Sequence, residues 1–194
     1  MREMSTPAKS VLMGAATMMI GFFTLAACQG NDKLTSKMAA RGDISLAYKA
    51  LNYVSWPENT FETDDAAIVL VVIGQASEAH EKLLASYVKG HRKIHQRPVQ
   101  IQRVSKPGDI PRCQILIVTE SCMPQDVTLA LKTVQEKSVL TIGETAAFAK
   151  SGGVLSVVKS GDAAILELNQ RAAKRQSLKV DVRLINVSVL VEEG

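Results

Sequence analysis

The sequence predicts a layered α/β domain, and three observations carry that prediction. Residues 67–73 (AIVLVVI) and 113–118 (CQILIV) are nearly unbroken β-type apolar runs, as expected of strands covered on both faces of a parallel sheet. Amphipathic helical segments alternate with them, and alternation at this spacing argues for parallel crossovers. The third is the stretch 139–169, where a short apolar run, two helical turns and two further β-type runs follow in close order. Ser160-Gly161-Asp162 between 154–158 and 163–168 is a hairpin signal. A largely parallel sheet with an antiparallel hairpin at one side is expected.

A chain of 194 residues suits one domain with a full core. Its 23 Lys and Arg against 19 Asp and Glu give a net charge of +4, short of the concentrated basic stripe of a nucleic-acid binder. Aromatic residues make up 4%, which leaves few stacking platforms for bases or sugars.

Taken in order, residues 1–27 read as an address. Arg2 and Lys9 precede the uncharged run 11–27, and Leu25-Ala26-Ala27-Cys28 follows the pattern of the bacterial lipobox. The expectation is a lipoprotein signal peptide over 1–27, with Cys28 lipidated. Several acyl chains on one residue hold a protein firmly to a bilayer. Gln29 in place of Asp favours the outer membrane over inner-membrane retention. Residues 28–35 are a polar tether, and 36–194 form the domain.

Apolar residues from Met38 to Val54 fall largely on one helical face, and that helix is expected to end at Trp56-Pro57, because proline forces its predecessor into extended geometry. After the strand 67–73 and Gly74, Ser77 caps a helix running to Val88. Residues 89–97 (KGHRKIHQR) read as a solvated basic loop leading into the alternating strand 99–104. Beyond the strand 113–118, Met123-Pro124 opens a helix to about Gln135. Residues 139–142 form a strand and 144–150 a helix stopped by Gly152-Gly153. A helix over 169–176 comes next. Residues 178–191 alternate like a strand yet also carry a helical stripe at Val182, Ile185 and Val189; propensity alone favours the strand.

Catalytic signals are absent from the sequence: it has no G-x-S-x-G elbow, P-loop, H-E-x-x-H or C-x-x-C. His91 and His95 are four apart but no third ligand is in view, so no metal site is assigned. No cofactor is expected. The acidic pairs Asp64-Asp65 and Glu192-Glu193 read as solvated. An extended segment 113–118 carries Cys113 too far from Cys122 for a disulfide, so a buried Cys113 and a half-exposed Cys122 are expected as free thiols.

The segments Tyr53-Val54-Ser55-Trp56-Pro57, the strand ending at Gly74, Cys113-Gln114-Ile115-Leu116, Val139-Leu140-Thr141-Ile142 with Phe148 and Gly152-Gly153, and Glu167-Leu168-Asn169 followed by Ala172-Ala173 and Leu184 together resemble the YfiR-like proteins. The likeness runs from about Ile44 to Leu190. It implies a three-layer αβα sandwich whose last segment is a helix, a reading adopted for 182–191 over the propensity for strand. It also implies a non-enzymatic regulator that acts from the periplasmic side, holds a membrane-bound diguanylate cyclase inactive, and so limits cyclic-di-GMP output and biofilm formation. Two departures stand out. Val71, Val72 and Ile73 occupy the first strand, where some relatives place a cysteine able to pair with the counterpart of Cys113; and the lipobox is a feature that many relatives lack.

Two functional classes follow. In a protein-interaction regulator, Tyr53 and Trp56 at the first corner and Leu166 and Leu168 on the hairpin would present apolar surface to a membrane partner or a second copy, although Tyr53 and Trp56 read more simply as core residues. In a lipid-anchored small-solute binding module or transport accessory, Gly74, Gln75, Thr119 and Glu120 would line a cleft at the carboxyl ends of the strands.

Overall fold

A computed structural model describes residues 44–89, 92–160 and 163–194. The expected signal peptide, Cys28 and the tether lie outside the described residues, as do His91 and the hairpin-turn residues Gly161 and Asp162. Seven strands form one sheet: β2 (Ile68–Ile73), β3 (Val99–Val104), β4 (Ile115–Val118), β5 (Leu140–Gly143), β6 (Leu155–Ser160), β7 (Ala163–Leu168) and β9 (Val189–Leu190). Their order is β3-β2-β4-β5-β6-β7-β9. All neighbours are parallel except the β6–β7 hairpin, which is antiparallel. A second, two-stranded sheet pairs β1 (Val54–Ser55) with β8 (Lys179–Val180) antiparallel.

The unbroken apolar runs reflect burial on both faces. Ile68, Leu70 and Val72 of β2 enter one core with Ile115 and Ile117 of β4, while Val71 and Ile73 enter another with Leu116 and Val118. Successive side chains of a strand point to opposite faces, so a strand with helices on both sides needs apolar residues at every position. The larger core takes α1 (Ser45–Ala50), α2 (Glu78–Val88) and α5 (Gln170–Arg175); the smaller takes α3 (Pro124–Thr133) and α4 (Ala147–Lys150). The result is the three-layer αβα sandwich.

Local chemistry fixes the ends of the helices. The Ser77 hydroxyl accepts a hydrogen bond from the His80 N–H at 3.2 Å, and Asn169 Oδ1 accepts from the Ala172 N–H at 2.9 Å. Pro124 occupies the first turn of α3, where its missing N–H costs nothing. Gly152, at φ +102°, stops α4.

Two boundaries differ from expectation. The first helix gives way to a 3-10 turn at Leu51–Tyr53, and Val54-Ser55 then turn extended because Lys179 and Val180 pair with them. The segment 178–191 is neither one strand nor one helix. It divides into β8, α6 (Val182–Val187) and β9, since Asp181 caps a helix by accepting from the Arg183 N–H at 2.8 Å. The hairpin is accordingly not the sheet's border: β9 lies outside β7, paired at Glu167 and Leu168.

Candidate functional site

The turns after β2, β4 and β5 meet at one end of the sheet. Gly74, at φ +90°, reverses the chain after β2, and a Cβ there would stand 2.2 Å from Thr119 Oγ1. Thr119 is buried, donating its backbone N–H to the Ile73 carbonyl at 3.1 Å. The Gln75 N–H donates to Ser121 Oγ at 2.7 Å. Above this floor opens a cleft of about 810 Å³, with Gln75, Glu120, Ser121 and Glu144 in its lining. Of the four residues assigned to a cleft from sequence, Gln75 and Glu120 line it, whereas Gly74 and Thr119 lie beneath, shaping the turn.

The sequence reading missed the group behind the cleft. His80, on the inner face of α2, is fully buried between Tyr48 of α1 and Glu144 of the loop after β5. The Tyr48 hydroxyl is 3.0 Å from Nε2. On the other side Nδ1 is 3.0 Å from Glu144 Oε1, but off the line of a hydrogen bond, so that nitrogen has no well-aligned partner. Glu144 Oε2 accepts the Glu120 N–H at 3.1 Å. Burial foremost, with Tyr87 and the charges of Glu144 and Glu81 adding to it, drives the Tyr48 hydroxyl above its ordinary range and keeps it protonated. The one signal for His80 in the sequence is its spacing from Leu84 and Tyr87, which puts all three on one face of α2.

The opposite end of the strands is packed more tightly and keeps a smaller cavity, about 240 Å³, beside Trp56, Phe61, His95 and Arg97. Trp56 is only 9% exposed, and its Nε1 donates to the Gln114 carbonyl at 3.2 Å. Phe61 and His95 stand edge-on to the indole at centroid distances of 6.3 and 6.0 Å. His95 Nε2 lies 2.8 Å from the Val54 carbonyl and 3.2 Å from that of Leu51. Arg97 lies over the Phe61 ring at 4.0 Å and donates to the Thr63 and Ala66 carbonyls at 2.9 and 3.0 Å. Tyr53 is half-buried, with the Arg183 guanidinium 5.0 Å from its ring centre.

The placement of Leu166 and Leu168 corrects one expectation. Both are buried, at 2% and 0% exposure, because β7 turns Ala164, Leu166 and Leu168 into the larger core, where α1 packs against the hairpin. They cannot present apolar surface in this fold. The exposed large apolar side chains nearest the end of the chain are instead Val182, Val189 and Leu190.

Cys113 and Cys122 carry free thiols. Desolvation pushes Cys113 up to about 12 and outweighs the opposing effect of Lys137; Cys122 is raised chiefly by burial. Neither is a poised nucleophile. Among the described residues, no three His, Cys, Asp or Glu side chains are grouped to hold a metal ion, and no helix is long and apolar enough to cross a membrane.

Fold and site define a three-layer α/β domain with a large cleft at the carboxyl ends of its strands and a smaller cavity at the amino ends. Residues 43–189 match the model of the YfiR/HmsC-like family, and the chain belongs to that family. At the family level these are periplasmic, non-catalytic regulators associated with membrane diguanylate cyclases and cyclic-di-GMP signalling. A search of curated proteins gave no match. Similar solved structures include a conserved domain protein from Vibrio cholerae O1 biovar El Tor (9% identity, TM-score 0.48, 64% of this chain and 54% of that one). Others are a Streptococcus pneumoniae ABC domain in complex with L-Trp (10%, 0.47, 64% and 55%) and the ligand-free, open form of CD0873, a substrate binding protein with adhesive properties from Clostridium difficile (11%, 0.45, 66% and 55%). The chain spans about half the length of each.

Proposed function

We propose that this protein represses a membrane-bound diguanylate cyclase from the periplasmic side by direct protein contact, limiting cyclic-di-GMP output and biofilm formation, while a lipid on Cys28 anchors it, with the outer membrane the favoured destination. The observation that carries the reading is the family match, which spans nearly the whole described domain. The partner surface is assigned to Tyr53 and the exposed Val182, Val189 and Leu190, with Trp56 fixing the corner from behind. The Asp181 N–H donates to the Tyr53 carbonyl at 2.8 Å, which brings the start of α6 beside that corner. Exposed apolar groups gathered beside one another mark an interaction surface, and tyrosine is among the residues that anchor such surfaces.

Crosslinking and capture from membranes of the source bacterium tests this, using the C-terminally tagged, lipid-bearing protein beside a Cys28→Ala form and a Tyr53→Ala, Val182→Ser form. The expected result is recovery of an inner-membrane cyclase, reduced in both variants. Recovery of outer-membrane proteins alone would overturn the cyclase assignment. A second reading, a lipid-anchored solute-binding module or transport accessory, is favoured by one observation, the cleft at the carboxyl ends of the strands. A homodimer through the same apolar surface would show in the same crosslinks.

A further inference from the structure

We infer that the cleft at the carboxyl ends of β2, β4 and β5 binds a small organic cation, a primary ammonium on a short apolar body, with Glu144 and Glu120 receiving the charge. The inference stands on the cleft and does not rest on the identity of any membrane partner. The argument starts from an unbalanced carboxylate. Glu144 is only 18% exposed, and a carboxylate drawn that far from water needs a counter-charge or a full set of donors. Among the described residues it has no Lys or Arg within ion-pair distance, and its sole basic neighbour is His80. One oxygen takes the Glu120 N–H; the other faces an imidazole nitrogen that is fully buried and lacks an aligned hydrogen-bond partner.

The rest of the lining agrees. Glu120 is exposed and forms no ion pair among the described residues, and Lys159 supplies the one positive charge in the wall. Two carboxylates against one ammonium leave a negative charge unmatched. Ile44, Ala76, Ala79 and Val157 add an apolar side to the same cleft. Its volume, about 810 Å³, lies within the range of roughly 300–1,000 Å³ typical of small-molecule sites.

Arg103 is engaged by Glu81, so it does not neutralise Glu144.

Titration calorimetry on the full chain in detergent tests this with isopentylamine as the probe and isopentanol as its uncharged counterpart. The amine is expected to bind saturably and the alcohol not. Glu144→Gln should weaken binding by about tenfold or more, the scale of a lost charge-assisted contact, and Glu120→Gln by about threefold. Lys132→Ala, outside the cleft, should change nothing. If Glu144→Gln does not fold, as judged by circular dichroism, Glu120→Gln at an exposed position decides. Absence of saturable amine binding, equal binding of the alcohol, or indifference to the glutamate substitutions would each overturn the inference.

Discussion

The two ends of the parallel strands each carry a histidine, and they are finished in different ways. At the amino end His95 Nε2 meets two backbone carbonyls, and Trp56, Phe61 and Arg97 close over one another with their donors engaged. At the carboxyl end His80 is more deeply buried, yet one of its nitrogens lacks an aligned partner and the carboxylate beside it faces a cleft. A buried polar group left part-satisfied costs stability, and such costs concentrate where a site must respond to something else. The proposed ligand site accordingly falls at the carboxyl end, and the amino end, with its smaller cavity, reads as scaffold.

Substitutions at the amino end should cost the most. Trp56→Ala removes the largest side chain of that corner and should lower unfolding free energy by about 3–5 kcal/mol, read from urea melts. A loss below about 1 kcal/mol would mean that the corner is not structural and would dissolve the contrast between the ends. Leu168→Ala, at a fully buried position, should cost about 2–5 kcal/mol. Were Leu168 an interface residue, the same change would leave the isolated protein's melt unmoved.

Smaller changes sharpen the contrast between the histidines. His95→Ala removes the imidazole that meets the Leu51 and Val54 carbonyls, but His95 is exposed and water can replace it, so the cost should be about 1 kcal/mol or less. Tyr48→Phe keeps the ring's packing and removes only the hydroxyl facing His80 Nε2, so about 1 kcal/mol is expected, read from urea melts.

The smallest effect belongs to neither end. Asp181 is held down to about 2, first by its side-chain hydrogen bond with Arg183. Its folded-state pKa is depressed, so its stabilising contribution is present above the ordinary carboxylate value and is lost as pH falls toward about 2. Asp181→Asn should remove that part of the acid dependence. The pair is exposed, so the change is small and fades with added salt.

The sequence carried most of the sheet because strands buried on both faces write their burial into every residue. Residues 67–73 and 113–118 needed no tertiary information to be read. The hairpin was equally legible, but the fate of its side chains was not. Ala164, Leu166 and Leu168 alternate clearly, yet alternation does not say which face is covered, and α1, which packs on the hairpin, comes from residues far earlier in the chain. The tail 178–191 misled for a related reason: its apolar spacing fits both periods, and the deciding residue was Asp181, a helix cap placed between two short extended pieces. Of the site, the turns after β2 and β4 were readable from strand ends alone. The Tyr48–His80–Glu144 contact was not, since three residues distant in sequence meet only once the sheet is assembled.

The small β1–β8 pairing joins the first described elements to nearly the last, Val54 opposite Val180 and Ser55 opposite Lys179. All the central parallel strands lie within the loop it closes. Loop-closure entropy makes such distant pairings slow to nucleate, and two residue pairs offer little reward in advance of the sheet. The clasp should therefore be a late event in folding. Substitutions such as Val180→Ala would then hasten unfolding and leave the refolding rate almost unchanged.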